Sequence, residues 1–290
     1  MKNKLRLLLL PALVLCVAVN AAYAEEYEDE TYGWSAVLKK AGLEISSTQV
    51  KNSKEYKDSP NAELSGDSET VTKGILDFSM IEQQEKYKWE NNLFAEYGKT
   101  KLRPKDGPNV TNETADKILL STDFAYKTWH YWDAYVGPFG NLAYQTEFDK
   151  NEDAPRTKIA RGMTGLKLFD GEYIESLYAA VVGEYDFTYK HDKTAKLAYE
   201  LGLKGRYPLR EGVNFNVDTY FRDYVKYSAY NARDFEYEYS LKGNMMVDVY
   251  GGFKMGPYIQ YFRAQDRGSS KYGSSTIIGV EASYGGKWGL

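Results

Sequence analysis

The sequence predicts an all-β fold: an antiparallel, up-and-down transmembrane β-barrel of about twelve strands. From Lys196 to Tyr207 apolar and charged residues alternate, which places them on opposite faces of one strand. This strand is about twice as long as a typical strand of a soluble protein, and similar segments fill most of the chain. A closed sheet with a dry outer face and a wet inner face satisfies its backbone hydrogen bonds within a bilayer.

The first 24 residues have the three parts of a secretory signal peptide. Three basic residues come first, an apolar run follows at 7–19, and Ala22-Tyr23-Ala24 forms a small-x-small cleavage site. The apolar run is too short to cross a bilayer as a helix. The predicted organisation is a cleaved signal peptide at 1–24, a short periplasmic segment at 25–33 and one barrel domain at 34–290.

The composition narrows the function classes. The single cysteine, Cys16, lies in the predicted signal peptide, so the mature chain can use no disulfide or thiol chemistry. Beyond residue 24 the chain has 34 basic and 41 acidic side chains, which excludes a generally basic nucleic-acid binder. The 27 tyrosines suit a boundary between lipid and water, because the ring is apolar and the hydroxyl is polar. We expect no cofactor and no metal.

Turn residues between the alternating segments set the strand boundaries. The odd connections are longer and polar and the even ones are tight, as in barrels with long outer loops and short periplasmic turns. With an even number of strands, both chain ends then lie on the periplasmic side. The predicted strands are residues 34–50, 70–82, 87–101, 115–129, 132–148, 158–169, 173–189, 195–208, 212–227, 235–250, 256–266 and 273–288.

The tight connection at 209–211 allows a register to be predicted. If Pro208 faces Gly212, Tyr207 pairs with Val213, and the ring of Phe215 covers the bare Gly205. A slip by one residue would turn the charges toward lipid, so the faces are better determined than the register. The face expected to be exposed to lipid carries Leu197, Tyr199, Leu201, Leu203, Val213, Phe215, Val217 and Phe221. The predicted lumen-facing polar residues are Lys196, Glu200, Lys204, Arg206, Asn214, Asn216, Asp218, Arg222, Glu236, Glu238 and Lys242.

The last eight residues resemble the terminal-strand signal that outer-membrane barrels present to their assembly machinery. Its fixed positions are occupied by Ser283, Gly285, Trp288 and Leu290. Leu290 departs from the usual pattern, in which the final residue is aromatic. The resemblance implies the barrel assembly machinery as a partner. Closure of the sheet also requires the last strand to pair with the first, around Leu43 and Ile45.

Four segments, 88–93, 97–99, 116–118 and 137–148, carry a wider resemblance. Through them the mature chain is similar to uncharacterised bacterial outer-membrane barrel families, including the salt-induced outer-membrane protein type. The resemblance implies an outer-membrane location and a barrel, with outer-membrane lipid and lipopolysaccharide as partners. It supplies no reaction and no site residues, and it leaves the oligomeric state open.

Residues that could carry chemistry are few. His130 lies in a predicted turn among tryptophans and tyrosines, which indicates a membrane boundary. His191-Asp192 lacks the following serine found in barrel phospholipases and deacylases, so we expect no enzyme. Acidic residues at 58–69 and 149–153 could bind calcium or bridge lipopolysaccharide phosphates, although a solvated loop is the simpler interpretation. Two glycosylation-like triplets at 109–114 are interpreted as coincidental in a bacterial-type chain.

Three interpretations stay open. The interior charges are mixed in sign, whereas a strongly selective pore concentrates one sign. Twelve strands lie between the filled eight-stranded barrels and the open sixteen-stranded porins. The chain could therefore be a narrow passive channel for small polar solutes, or an envelope-maintenance barrel with a closed, salt-bridged lumen. A soluble secreted β-sandwich or binding barrel is the third interpretation, and strand length argues against it.

Overall fold

The computed structural model describes residues 32–56, 64, 69–102, 110–149, 155–190 and 192–289. The predicted signal peptide, most of the segment 25–33, His191 and Leu290 lie outside these residues. Among the described residues, no helix is both long enough and apolar enough to cross a membrane.

The described residues form thirteen antiparallel strands. These are β1 Gly33–Lys51, β2 Glu69–Gln83, β3 Tyr87–Leu102, β4 Val110–Tyr126, β5 Trp129–Tyr131, β6 Ala134–Thr146, β7 Ile159–Phe169, β8 Ser176–Asp186, β9 Thr194–Arg210, β10 Val213–Tyr227, β11 Phe235–Tyr250, β12 Phe253–Asp266 and β13 Gly273–Gly289. Each long strand pairs with its neighbours in sequence, β4 pairs with β6, and β13 pairs with β1. Twelve long strands therefore form a closed antiparallel barrel, which confirms the predicted fold.

Several strand boundaries differ from the prediction by one to five residues, and two of these differences concern the segment around residues 110–134. Strand β4 begins at Val110 rather than near 115. The predicted strand at 132–148 begins at Ala134, because a turn at 132–133 follows the short strand β5, and Trp132 has a φ of +58° in that turn. The prediction that His130 lies in a turn is wrong. It lies in β5, where it pairs with Tyr135 and the two ring centroids are 5.1 Å apart.

The two ends of the barrel differ in their connections. One end, here called the turn rim, carries the connections at 84–86, 127–133, 170–175, 211–212 and 251–252. The other end, here called the loop rim, carries those at 52–68, 103–109, 147–158, 187–193, 228–234 and 267–272. Gly33 and Gly289, the first and last strand residues, both lie at the turn rim.

Polarity along the strands is reversed relative to a soluble protein. In β1, Leu43 and Ile45 are exposed on the outer wall, and Glu44 between them is 1% exposed in the interior. In β8, Val181 and Tyr185 are exposed and Glu184 is buried. Burying charges while exposing large apolar side chains is the opposite of the usual partition in water. The outer wall therefore needs an apolar surrounding.

The predicted lipid-facing residues mostly follow this pattern. Leu197, Tyr199, Leu201 and Phe215 are exposed on the outer wall. Leu203, Val217 and Phe221 are only partly exposed. Val213 contradicts the prediction, because it is 6% exposed where it follows the turn at 211–212 and the pairing with β9 becomes irregular.

The predicted register of the β9–β10 hairpin is wrong by two residues. Arg210 pairs with Val213 across a turn in which Gly212 has a φ of +71°, and Pro208 pairs with Asn214. A two-residue shift keeps each side chain on its face, so the alternation is unaffected.

The ring of Phe215 therefore does not cover Gly205, which lies opposite Val217. It lies instead 3.8 Å from the position that a Cβ atom would occupy on Gly243, on the neighbouring strand β11. An aromatic ring still covers a bare glycine, but across the other pairing of β10.

The predicted pairing of the first and last strands is confirmed. Leu43 lies opposite Ala282, Glu44 opposite Glu281, and Ile45 opposite Val280. The pairing continues to Ser35 and Gly289, and a bulge interrupts it near Leu38. We call this β1–β13 pairing the closure seam.

Deleting residues 287–290 should prevent stable closure of the barrel. The deletion removes the partners of Ser35, Ala36 and Val37 and exposes their backbone groups at the turn end of the seam. The measurement is heat-modifiable migration on a gel without boiling, which reports the folded fraction. We expect Leu290→Phe to fold at the level of the unchanged protein. A folded fraction of the truncated chain equal to that of Leu290→Phe would contradict the prediction.

Candidate functional site in the barrel interior

Two clusters of ion pairs stand out in the interior of the barrel, and further interior pairs join Lys39 with Glu90, Lys88 with Asp170, and Lys167 with Asp123. The first, called the Arg222 cluster, lies in the half toward the loop rim. Its members are Arg161, Glu184, Lys196, Glu200, Arg222, Asp234 and Glu238. The second, called the seam cluster, lies near mid-height at the closure seam. Its members are Lys40, Glu44, Lys73, Glu96, Lys242 and Glu281.

Arg222 is the centre of the first cluster. Its guanidinium group donates from Nε to Glu200 Oε2 at 2.5 Å and from Nη1 to Glu238 Oε1 at 2.6 Å. Its Nη1 also lies 3.9 Å from Glu184 Oε2. Arg222 is only 7% exposed, and the three carboxylates around it are buried as well. The planar, five-donor guanidinium suits this role, because it can bond several carboxylates at once.

Further donors bind Glu184 and Glu200 of this cluster, whereas Asp234 Oδ2 is buried without a hydrogen-bond partner among the described residues. Glu184 accepts from Arg161 Nε at 2.6 Å and from Lys196 Nζ at 3.1 Å. The Tyr224 hydroxyl donates to Glu184 Oε2 at 3.2 Å, and the Tyr178 hydroxyl donates to Glu200 Oε1 at 2.5 Å. Buried charges are tolerated when they are paired and fully hydrogen-bonded. The cluster runs along the inner wall over the five consecutive strands β7 to β11.

The seam cluster neutralises two carboxylates that face each other. Glu44 and Glu281 are cross-strand neighbours on β1 and β13, and each is 1% exposed. Like charges in this position repel. Lys242 Nζ lies 2.6 Å from Glu44 Oε1 and 3.8 Å from Glu281 Oε2, and Lys40 Nζ lies 2.7 Å from Glu281 Oε1. Lys73 binds Glu44 at 3.2 Å from the opposite side. The three lysines make the pairing of the first and last strands electrostatically favourable.

The interior near the turn rim is more open. Lys204 and Asp218 form an ion pair of 3.2 Å in which each side chain is 53% exposed. A cavity of about 200 Å³ lies beside this pair, and Lys40, Asn216, Lys242 and Asn244 contribute to its lining. The Asn216 amide donates to Asn244 Oδ1 at 2.7 Å. We call this space the turn-side vestibule, and it ends at the seam cluster.

The first loop enters the mouth of the barrel at the loop rim. Tyr56 and Leu64 are almost fully buried against Phe262 and Ala264, two inward-facing residues of β12. The Tyr56 hydroxyl donates to the Lys271 carbonyl at 2.7 Å and accepts from the Asp266 N–H at 3.3 Å. Burial raises the pKa of Tyr56, so the hydroxyl keeps its proton and remains a donor.

The structure separates the predicted lumen residues into two groups. Lys196, Glu200, Arg222 and Glu238 meet in the Arg222 cluster, and Lys242 joins the seam cluster. Lys204, Arg206, Asn214, Asn216 and Asp218 lie nearer the turn rim. Glu236 is half-buried near the loop rim. It forms no ion pair with another described residue.

The sequence analysis missed several members of the clusters, Lys40 and Asp234 among them, although the signal was present. Glu44 stands between Leu43 and Ile45, and Glu281 stands between Val280 and Ala282, which is the same alternation used for β9. Alternation indicates the face of a residue but not its height or its partner. The other missed residues are Arg161, Glu184 and Lys73.

Three of the terminal-signal residues, Ser283, Gly285 and Trp288, lie on β13 at the closure seam, and Leu290 lies outside the described residues. Ser283 is buried and its hydroxyl donates to Glu281 Oε1 at 3.2 Å. Trp288 is exposed on the outer wall opposite Ala36. Gly285 lies between Ser283 and Trp288 in β13. The part of the chain that the structure describes contains no group of three or more His, Cys, Asp or Glu residues able to hold a metal ion.

Comparisons with known proteins agree with a barrel and assign no reaction. A family model described as a protein of unknown function, DUF3078, matches residues 62–151. No curated protein matches the sequence.

Several solved structures resemble the fold. An outer membrane channel from Pseudomonas putida F1 is 10% identical with a TM-score of 0.48, covering 92% of this chain and 100% of that chain. The outer membrane channel DcaP of Acinetobacter baumannii is 8% identical with a TM-score of 0.43, covering 91% and 100%. Outer membrane phospholipase A of Escherichia coli is 11% identical with a TM-score of 0.43, covering 89% and 93%. At these identities and TM-scores the matches assign neither activity nor substrate, and none points to the salt-induced outer-membrane protein type.

Removing the centre of the Arg222 cluster should destabilise the barrel strongly. Arg222→Leu leaves Glu200 and Glu238 buried without their cation, at a cost of about 3–5 kcal/mol in the free energy of unfolding. The control, Arg206→Leu, removes a half-exposed pair of 3.7 Å with Glu175 and should cost about 0–1 kcal/mol. Urea unfolding in lipid vesicles, followed by tryptophan fluorescence, measures both. Equal costs would show that the cluster contributes no more than a surface ion pair.

Replacing Tyr56 at the loop rim with a small residue should lower the free energy of unfolding. Tyr56→Ala removes a buried ring and two hydrogen bonds, so we expect a loss of about 3–5 kcal/mol if the loop folds together with the barrel. The matched control is Tyr230→Ala, since Tyr230 is 70% exposed in another loop of the same rim. Unfolding in the same vesicles distinguishes them. If both variants unfold alike, Tyr56 does not anchor the loop.

Proposed function

We propose that this protein is an integral outer-membrane β-barrel with a closed, salt-bridged lumen and a structural role in the cell envelope. The observation that carries the proposal is the burial of the Arg222 and seam clusters. Arg222, Glu44 and Glu281 are each less than 10% exposed inside a barrel of twelve strands. Charges that lined a water-filled pore would be wet.

The outer wall supports a membrane location. Large apolar residues are exposed on it all around the closed sheet, among them Leu120, Leu142, Leu166, Ile259 and Ile278. Exposed aromatic residues gather toward the two rims, including Trp129, Tyr131, Tyr207 and Trp288 at the turn rim and Phe148, Tyr185 and Tyr189 at the loop rim. An apolar band between two aromatic girdles is typical of barrels in outer membranes.

The orientation follows from the connections. Long loops face the outside and short turns face the periplasm in such barrels. The loop rim therefore faces outward, toward lipopolysaccharide. The first and last strand residues, Gly33 and Gly289, both lie at the periplasmic turn rim. The terminal-signal residues on β13 are placed to be recognised by the barrel assembly machinery before the closure seam forms.

A second candidate function is a narrow passive channel for small polar solutes. The turn-side vestibule favours it, because this cavity of about 200 Å³ is lined by amides and by charges of both signs. A solute entering from the periplasm would reach Lys40 and Lys242 and would then meet the seam cluster. Transport would require these ion pairs to separate.

The assignment of the two faces can be tested with two opposite substitutions. Leu201→Arg places a charge on the apolar outer wall, at a cost of about 2–4 kcal/mol if that wall contacts lipid at the bilayer midplane. Lys204→Leu acts on the half-exposed vestibule side and should cost less. Folding into lipid vesicles, with the free energy read from urea titration, ranks them. The reverse ranking would invert the assignment of faces.

Single-channel recording in a planar bilayer separates the two candidate functions. The unchanged protein should insert and show no steady conductance. Arg222→Ser, which removes the side chain joining three strands, should raise the frequency of opening, and Arg206→Ser in the vestibule should not. Insertion is checked by protease protection in vesicles. Steady conductance of the unchanged protein would favour the channel and overturn the closed lumen.

A further inference from the structure

The outer wall carries a groove on strands β6 to β9, toward the loop rim. Its volume is about 410 Å³. Its outward-facing lining consists of Ala160, Gly162, Gly183 and Ala195, with Leu142 and Tyr185 beside them, and Arg161, Glu184 and Lys196 of the Arg222 cluster also border it. Elsewhere on this wall the outward positions are mostly filled by large apolar side chains, so the groove is a local interruption of the apolar surface.

The strand register creates the groove. Gly162 lies opposite Gly183, and Tyr185 lies between Ala160 and Ala195. A Cβ atom added to Gly183 would meet nothing within 4 Å. The groove is thus shallow and open to the surroundings of the wall, and a side chain added at Gly183 would occupy it.

An aromatic cluster marks the upper end of the groove. The ring of Phe187 stacks against Tyr185 at 5.8 Å and against Tyr144 at 6.2 Å. Aromatic rings of this kind prefer the level of lipid headgroups. A chain lying in the groove would therefore emerge at the polar boundary beside these rings.

Two lysines lie at that boundary on the outward face. Lys158 continues the outward row of Ala160 on β7, and Lys193 continues the outward row of Ala195 on β9. The Phe187 N–H donates to the Lys158 carbonyl at 3.0 Å, which extends the strand pairing to this level. Both lysines are exposed, and neither forms an ion pair with another described residue. They flank Phe187 on either side, about 10 Å apart across two strand spacings.

We infer that this groove binds one acyl chain of lipopolysaccharide, and that Lys158 and Lys193 hold a phosphate of its headgroup. An apolar groove with two unpaired ammonium groups above it complements an anionic, acylated lipid. The inference rests on the proposed function, because that function turns the loop rim toward the leaflet that contains lipopolysaccharide. The site gives the barrel a fixed boundary lipid on one side.

The experiment uses the full-length protein purified in detergent and diphosphorylated, hexa-acylated lipid A as the probe. Native mass spectrometry measures the fraction of protein that retains one lipid A. Gly183→Leu fills the groove, and Lys158→Gln and Lys193→Gln remove the charges. The matched controls are Gly74→Leu, an outward glycine on β2 whose added Cβ would make only an ordinary contact at 3.8 Å, and Lys86→Gln at the turn rim.

The unchanged protein and both controls should retain lipid A to the same extent. We expect Gly183→Leu to lower the apparent affinity at least fivefold, and each lysine substitution to lower it by about fivefold. Phosphatidylglycerol, offered at the same concentration, should be retained less than lipid A. Equal retention by all variants, or equal retention of phosphatidylglycerol, would overturn the inference.

Folding and insertion are measured on the same samples. Heat-modifiable migration shows whether each variant is folded, and protease protection in vesicles shows whether the barrel inserts. A protein that does not insert contradicts the proposed function as well as this inference. A protein that inserts but retains no lipid A contradicts the inference alone.

Discussion

Closure of the sheet at the β1–β13 seam is the constraint on which the rest of the structure depends. An open sheet in hydrocarbon would leave a row of backbone donors and acceptors without partners, each costing several kcal/mol. Closure brings two carboxylates, Glu44 and Glu281, face to face in the interior. Lys40, Lys73 and Lys242 offset their repulsion, and Lys242 reaches the seam from β11. The interior charges are therefore part of how the barrel closes.

The exposure of the charged side chains in the interior decreases from the vestibule toward the two clusters. Half-exposed pairs such as Lys204–Asp218 line the vestibule, the buried seam cluster lies near the middle, and the buried Arg222 cluster lies in the half toward the loops. Tyr56 is buried against β12 at the loop rim. The described charged residues of the interior are therefore more exposed near the vestibule than in the two clusters.

The shape of the outer wall, like the ion pairing in the interior, depends on which residues are cross-strand neighbours. Pairing Gly162 with Gly183 on neighbouring strands removes two side chains at one place and leaves a groove, whereas Phe215 covers the bare Gly243 elsewhere. A glycine on the outer wall therefore opens a groove at one place and is covered by an aromatic ring at another. The residue on the neighbouring strand determines which of the two occurs. Lipid contacts on such a wall are set by register as much as by composition.

The sequence by itself determined the fold class, the twelve long strands, the alternation of faces and the pairing of the last strand with the first. These features follow from a period of two, which each strand carries within its own residues. Only the tertiary structure decided the two-residue register of β9 on β10, the burial of Val213, the short strand at His130 and the buried ion pairs of the interior. Register and ion pairing join residues on different strands that are far apart in sequence, such as Glu44 and Lys242, which are 198 positions apart. Local alternation shows which side chains face inward, but their partners depend on how the strands are staggered around the barrel.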